Sequence, residues 1–212
     1  MEFHTWLTFF IATVAISLSP GPGAIAAMGA GLNHGFRRGH AIAFGLGLGV
    51  QTQLLVVGVG LGALLATSNL AFSAVKWLGV AYLVWLGVQQ WRAPAKPIVA
   101  QEATGHAAAQ ATGRALFLRG WTVNALNPKG TVFLLAVMPQ FLDLAQPLLA
   151  QYLAIGATFG VVEFCVMTGY VALASRVLGL LRSPRQIRWM NRSFGSLFIA
   201  AGALLAMFKR AA

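Results

Sequence analysis

The sequence predicts an all-α membrane protein of about six transmembrane helices, arranged as a 3+3 inverted repeat with broken first and fourth helices. Of the 212 residues, 58% are hydrophobic and only 9% are charged, whereas soluble domains carry about 25% charged residues. Apolar stretches of roughly 18 residues or more, long enough to cross a bilayer, recur along the chain. Two clusters of proline and glycine interrupt two of these stretches, at residues 19–23 (the first break) and 127–130 (the second break).

The first segment, about residues 5–32, contains the first break, Ser19-Pro20-Gly21-Pro22-Gly23. Proline lacks the amide hydrogen of a helix and glycine leaves the backbone loose, so the helix cannot continue here. In lipid, the freed backbone groups must be satisfied by protein or by a water-lined cavity. We therefore expect a polar site at this depth, followed by a polar turn at residues 33–39.

The remaining segments follow in order. The second covers residues 41–65, and the third covers residues 70–91 with Trp77 and Trp91 placed as an interfacial belt. The fourth, residues 116–141, contains the second break, and the fifth, residues 148–174, contains Glu163. A basic loop precedes the sixth, residues 193–208. These segments predict one membrane domain, with a first half at 1–91, a cytoplasmic linker at 92–114 and a second half at 115–212.

The two halves resemble each other. Gly45-x-x-x-Gly49 in the second segment matches Gly156-x-x-x-Gly160 in the fifth, and the polar residues Gln51 and Glu163 follow them. Three helices per half would invert the second half in the membrane. Secondary transporters with inverted repeats form their binding sites at paired broken helices. The sequence therefore favours a secondary transporter with a site at the two breaks.

The net charge is +11, and the basic residues lie between the apolar segments, as the positive-inside rule requires. This distribution does not indicate a nucleic-acid-binding protein. Most Lys and Arg lie in the first, third and fifth loops, which puts the linker in the cytoplasm and both termini outside. Residues 1–4 lack the basic start of a signal peptide, so we expect the first segment to remain in the mature protein. The single cysteine, Cys165, is expected to be a small buried hydrophobe. No metal-ligand spacing, cofactor motif or catalytic motif occurs, so we expect no metal, no cofactor and no enzyme.

Lys129, in the second break, is the sharpest functional signal. An ionisable residue at membrane depth costs about 2.5–3.5 kcal/mol on insertion scales, so it marks a function by default. It could hold a substrate carboxylate or respond to a proton; alternatively, it lies near an interface and extends to the headgroups. Glu163 could pair with Lys129, hold a substrate ammonium group, carry a coupling proton, or serve as a structural partner of an arginine.

Uncharged groups complete the predicted site. The first break could present helix-end N–H groups to an anion, or could be a kink for packing. Gln51, with Thr52 and Gln53, could bind substrate or join helices. The candidate substrate-binding residues are Ser19, Pro20, Gly21, Pro22, Gly23, Gln51, Asn127, Pro128, Lys129 and Glu163.

Together these residues resemble the lysine-exporter superfamily, in particular its homoserine/threonine-efflux branch. The resemblance rests on four motifs in order along the chain: Ser19-Pro20-Gly21-Pro22, Lys76-x-x-Gly79-x-x-Tyr82-Leu83 with Gly87, Asn127-Pro128-Lys129, and Asn191-Arg192-x-x-Gly195-x-Leu197-Phe198-Ile199. It implies a bacterial inner-membrane permease that exports amino acids or related small metabolites, with proton entry as the driving force and a homodimer as one assembly. Many relatives carry Asn or Asp where this chain has Gly23, which weakens a side-chain role at that position.

The sequence therefore predicts an exporter of a homoserine- or threonine-like amino acid that works by alternating access. Three rival interpretations stay open at this point. The protein could export another solute, although a cation exporter should carry more intramembrane acids than Glu163 alone. It could be an intramembrane enzyme, although the sequence contains no paired catalytic residues that support this interpretation. It could also be a scaffold in which Lys129 and Glu163 only join helices.

Overall fold

The computed structural model describes residues 3–19, 21–65, 69–93, 111–143, 145–177 and 184–207. Within these ranges the chain is helical and contains no strand. Eight helices follow one another: α1 (Phe3–Leu18), α2 (Pro22–Gly39), α3 (Ala41–Leu65), α4 (Asn69–Arg92), α5 (Gly113–Ala125), α6 (Pro128–Val137), α7 (Leu148–Val177) and α8 (Pro184–Met207), with a 3-10 turn at Met138–Phe141 after α6. Pro20 and most of the predicted linker, residues 94–110, lie outside the described residues.

The proline and glycine clusters separate helices. The first break lies between α1 and α2, and the second lies between α5 and α6. In each case a proline, Pro22 or Pro128, takes one of the first positions of the following helix, where its missing N–H costs no hydrogen bond. The axes of α1 and α2 differ by 55°.

Within the described residues, two helices are long and apolar enough to cross a bilayer, over Ala41–Gly60 of α3 and Leu148–Arg176 of α7. The bent pair α1–α2 is a third candidate if it forms one span. With 13 and 10 residues, α5 and α6 are each too short to cross a hydrocarbon core of about 30 Å alone. The arrangement of six spans in two inverted halves stays a prediction.

The structure corrects three expectations. Residues 33–39, expected to form a polar turn, continue α2, which is kinked at Gly35 with a φ of 68° that favours glycine. The sixth helix begins at Pro184, so Arg185, Arg188 and Arg192 lie on its first turns instead of in a loop. Cys165 is exposed on α7 instead of buried, because its position on the helix faces away from the packed side.

Glycines allow the helices to approach closely. A Cβ atom on Gly45 or Gly49 of α3 would collide with the backbone of α5, and one on Gly120 of α5 would collide with α3. Gly31 of α2 has the same relation to Val171 of α7. α3 thus packs on α5 and α6, and α7 packs on α1 and α2, so each long helix contacts the broken helices that are distant from it in sequence.

Two clusters of buried apolar side chains form the interior. One is centred on Phe9, Phe133 and Phe159, and the other on Ile42 and Leu46. On the outside, large apolar side chains stay exposed; Leu55 and Val59 of α3 are 70% and 79% accessible. A soluble monomer rarely leaves such a surface open, whereas lipid chains cover it.

Candidate functional site

Glu163 of α7 joins the ends of the two helices that precede the breaks. Its side chain is 5% exposed. The hydroxyl of Ser17, in the last turn of α1, donates to Oε2 at 2.6 Å. Asn124 Nδ2, near the end of α5, donates to Oε1 at 2.8 Å and also to the carbonyl of Leu46 at 2.9 Å. A buried carboxylate needs such charge-assisted partners, and here they come from both breaks.

Lys129, at the start of α6, reaches across to the first break. Its Nζ donates to Ser19 Oγ at 2.7 Å and to the Ser19 carbonyl at 3.2 Å. It also lies 5.4 Å from the ring centre of Phe198. A positive charge at the C-terminal end of α1 matches the negative end of the helix dipole. In this conformation Lys129 therefore stabilises the end of α1 instead of pairing directly with Glu163.

The second break is stabilised by its own residues and by Gln53 of α3. The side chain of Asn127 accepts from the Lys129 amide at 3.1 Å and so caps the N-terminus of α6. The Asn127 carbonyl accepts from Gln53 Nε2 at 2.7 Å and from the Thr131 hydroxyl at 3.2 Å. Every one of these bonds fixes the chain direction where α5 ends and α6 begins.

The first break lacks a comparable cap. The N-cap residue of α2 is Gly21, which offers no side chain to the first amide groups of the helix. On the other side of the break, the Leu18 carbonyl accepts from the Tyr170 hydroxyl of α7 at 2.6 Å. The freed carbonyl groups of α1 are thus satisfied by Tyr170 and Lys129, both from the second half of the chain.

A small cavity (the inner cavity) lies between the two breaks. Its polar lining consists of Ser17, Ser19, Gln53, Asn124, Asn127, Lys129 and Glu163, and its apolar lining of Ile16, Ala24, Val50, Phe159 and Met167. Gly21, Gly23 and Gly130 complete the wall. Its volume is about 40 Å³, and since one water needs about 10–15 Å³, it has room for roughly three waters. The cavity thus presents an ammonium group and a carboxylate on one polar surface.

Most predicted site residues meet at this cavity, and three do not. Ser19, Gly21, Gly23, Asn127, Lys129 and Glu163 line it. Pro22 and Pro128 line a neighbouring cavity instead. Gln51 contacts α7, where its Nε2 donates to the Gly156 carbonyl at 2.9 Å, so it joins two helices and does not line the inner cavity. Pro20 cannot be assigned, because it lies outside the described residues.

Gln53, two positions after Gln51, lines the inner cavity in its place. Its Nε2 donates to the Asn127 carbonyl and to Thr131 Oγ1. Because a carbonyl can only accept, this pairing fixes the orientation of the amide. Oε1 then faces Gly130 and has no protein hydrogen-bond partner, although it is buried.

Sequence reasoning missed three residues of the site. Ser17, Asn124 and Tyr170 bind Glu163 or the end of α1. Ser17 and Asn124 both lie within three residues of a predicted break. Polar residues in the last helical turn before each break were therefore the available signal.

A comparison of the sequence with known families settles the membership of the chain. The LysE type translocator family matches residues 14–208, almost the entire chain. The chain belongs to the LysE type translocator family. Translocators are transporters, so a LysE-type chain is a membrane transporter and not an enzyme. In the described part of this translocator, no group of three or more His, Cys, Asp or Glu is placed to hold a metal.

Named relatives agree with the family. A "homoserine/homoserine lactone efflux protein" of Salmonella typhimurium is 46% identical over the full length of both chains. An "uncharacterized membrane protein" of Vibrio cholerae is 42% identical over 99% of this chain and the whole relative. A "leucine efflux protein" of Klebsiella pneumoniae is 27% identical over 95% of this chain and 94% of its own. No solved structure matches the chain.

Proposed function

We propose that this protein exports homoserine, threonine or a related small metabolite from the cytoplasm across the bacterial inner membrane, by proton antiport. Similarity to efflux proteins for homoserine and for leucine supports an amino-acid substrate. The observation that carries the proposal is the pair of opposite charges at one cavity, Lys129 and Glu163. A zwitterionic amino acid offers one charge of each sign, so this pair is complementary to its backbone.

In this proposal eight of the ten candidate residues lie in the two breaks, and Glu163 binds the ends of the helices that precede them. Lys129 binds the substrate carboxylate, and Glu163 receives the ammonium group or carries the coupling proton. Glu163 is suited to either role, because it lines the cavity and its oxygens are held by Ser17 and Asn124. Gln51 acts indirectly, by fixing α3 against α7.

We further propose a six-span protein with two inverted halves, 1–91 and 115–212, joined by a cytoplasmic linker at 92–114. Three features support the repeat: α3 contacts α7, α4 contacts α8, and the long helices α3 and α7 each pack on the broken pair of the other half. One feature departs from it, because Gly45 and Gly49 face α5, whereas Gly156 and Gly160 face Gln51 of α3. The charge distribution supports periplasmic termini. A homodimer is the assembly to test by measuring the mass of the purified protein.

The proposal is tested by efflux from proteoliposomes preloaded with homoserine, threonine, leucine or lysine, with and without an imposed proton gradient. We expect gradient-dependent efflux of homoserine or threonine that is lost in Lys129→Ala. Efflux without dependence on the gradient would refute proton antiport. Failure of a correctly inserted protein to move any of these amino acids would refute amino-acid export and favour another solute.

A further inference from the structure

A second, larger cavity meets the inner cavity at Lys129. This vestibule has a volume of about 460 Å³, within the range of about 300–1,000 Å³ that is usual for small-molecule sites. Tyr82, Trp85, Gln89, Gln90 and Phe198 are among its lining residues. The inner cavity, by contrast, has room only for waters. In this conformation a small organic solute therefore fits the vestibule and not the inner cavity.

Three residues line both cavities: Ser19, Gly21 and Lys129. The hydrogen bonds from Lys129 Nζ to Ser19 Oγ and to the Ser19 carbonyl join the two breaks at this point. We call this contact the partition, because it lies between the vestibule and the polar groups around Glu163. A solute that moves from the vestibule to Glu163 past these shared residues must break this contact.

The lining of the vestibule defines the chemistry of its ligand. Among its lining residues in the described part of the chain, Lys129 carries the single formal charge. Aromatic rings and two glutamine amides make up much of the remaining wall. Such a site suits a small molecule with one anionic group and a compact, partly apolar body. Gln89 and Gln90 lie near the C-terminal end of α4, next to the linker that we place in the cytoplasm.

We propose that the vestibule is a loading site, in which the carboxylate of an amino acid replaces Ser19 as the partner of Lys129 and thereby opens the partition. Lys129 now donates to two uncharged oxygen atoms. A carboxylate is a stronger acceptor than a hydroxyl or a carbonyl group, so it competes for the same ammonium protons. Once Ser19 is released, the end of α1 loses both bonds to Lys129 and keeps those to Tyr170 and Glu163. The substrate then gains access to Glu163.

Selectivity follows from this arrangement. A solute without an anionic group gives Lys129 no better partner than Ser19, so it leaves the partition closed. The partition therefore opens for amino acids, whose two charged groups are complementary to Lys129 and Glu163 at the inner cavity. The identity of the ligand rests on the proposed export of amino acids; the position of the loading site does not.

Thiol labelling in inside-out membrane vesicles tests the inference. The native cysteine is first removed by Cys165→Ser. Gln89→Cys then reports on the vestibule and Ala24→Cys on the inner cavity, which Ala24 lines; Val50→Cys replaces Ala24→Cys if that variant inserts poorly. The labelling rate with a cationic methanethiosulfonate reagent is measured with homoserine, with its decarboxylated analogue 3-aminopropan-1-ol, and without ligand.

We expect homoserine to slow labelling of Gln89→Cys about tenfold, the protection that nine-tenths occupancy gives. The same ligand should accelerate labelling of Ala24→Cys about tenfold. 3-Aminopropan-1-ol should change neither rate. Protection of Gln89→Cys without faster labelling of Ala24→Cys would overturn the opening of the partition. The absence of protection by any amino acid of the panel used for efflux would overturn the loading site.

Two variants isolate the partition itself. Lys129→Gln should abolish the protection of Gln89→Cys by homoserine, because the vestibule loses its positive charge. Ser19→Ala should accelerate labelling of Ala24→Cys without ligand, because one bond of the partition is gone; an unchanged rate would contradict the role of Ser19. Labelling reports binding without transport, so a protein that shows protection but no efflux refutes export and leaves the loading site intact.

Discussion

The two breaks use similar residues but are stabilised differently. At the second break, Asn127 caps α6 with its side chain, and its carbonyl accepts from Gln53 and Thr131. At the first break, the N-cap of α2 is Gly21, which provides no side-chain cap, and the end of α1 depends on Lys129 and Tyr170. The second break is therefore capped by its own residues, with Gln53 of α3 as an added partner. The first break has no side-chain cap of its own and depends on Lys129 and Tyr170, so it is the one whose geometry a ligand of Lys129 can change.

Glu163 is shared by the two breaks, and its replacement should have the largest effect. Glu163→Gln keeps the size of the side chain but turns one oxygen into a donor, which then faces the donor of Ser17 or Asn124. Hydrogen bonds to a charged group contribute about 1.5–3 kcal/mol each, so we expect homoserine efflux to fall at least about 100-fold. Initial efflux rates per amount of inserted protein measure this. Asp143→Asn, an exposed acid, is the control, and near-normal efflux in Glu163→Gln would exclude a need for the charge.

Replacement of Lys129 should disturb the first break more than the second break, in which Lys129 itself lies. Lys129→Met removes the bonds to Ser19 and the positive charge, while the amide that Asn127 caps is retained. Loss of one partner of a buried charged contact costs about 2–5 kcal/mol, so we expect efflux to fall at least about 30-fold. Lys129→Arg should retain part of the activity.

The same variant distinguishes the two breaks physically. Hydrogen exchange in Lys129→Met should increase at residues 15–25 and change little at residues 125–131. Lys76→Met serves as the matched lysine control for both readouts. Faster hydrogen exchange at the second break alone would show that Lys129 stabilises the second break and not the first.

The glycines of the two breaks should tolerate alanine unequally. A Cβ on Gly130 would lie 2.5 Å from Gln53 Oε1, whereas one on Gly21 would lie 3.5 Å from the nearest atoms of Lys129. Overpacking costs about 1–3 kcal/mol, so Gly130→Ala should lower the melting temperature of the purified protein in detergent. Gly21→Ala should change it less. Equal shifts in the two variants would mean that the second break is no more tightly packed than the first.

Removal of the Asn127 cap should have the smallest effect. Asn127→Ala loses one side-chain bond to the α6 N-terminus but keeps the carbonyl that binds Gln53, so we expect a cost of about 1 kcal/mol. Asn127→Asp should restore the stability. Thr112→Ala removes the corresponding cap of α5, far from the breaks, and should cost as much stability without lowering efflux. A severe loss of efflux in Asn127→Asp would indicate a direct role in binding.

The sequence predicted the positions of the breaks because proline and glycine act locally on the backbone. It predicted the charged residues because an ion at membrane depth is exceptional. It chose Gln51 over Gln53, since α3 is apolar on all sides and gives no sign of which face meets the cavity. The bonds of Ser17, Asn124 and Tyr170 join residues that are 39 to 152 positions apart, so only the packing of the helices brings them together.

The close contact of α3 with α5 has a consequence for biogenesis. α5 has 13 residues and contains Arg114 and Arg119, so at 1.5 Å per residue it extends only about 20 Å. Such a segment has little tendency to leave the translocon for lipid by itself. The glycine surface of α3, at Gly45 and Gly49, offers it a protein surface instead of lipid. Because α3 is synthesised first, it can act as an internal chaperone that receives α5 during insertion.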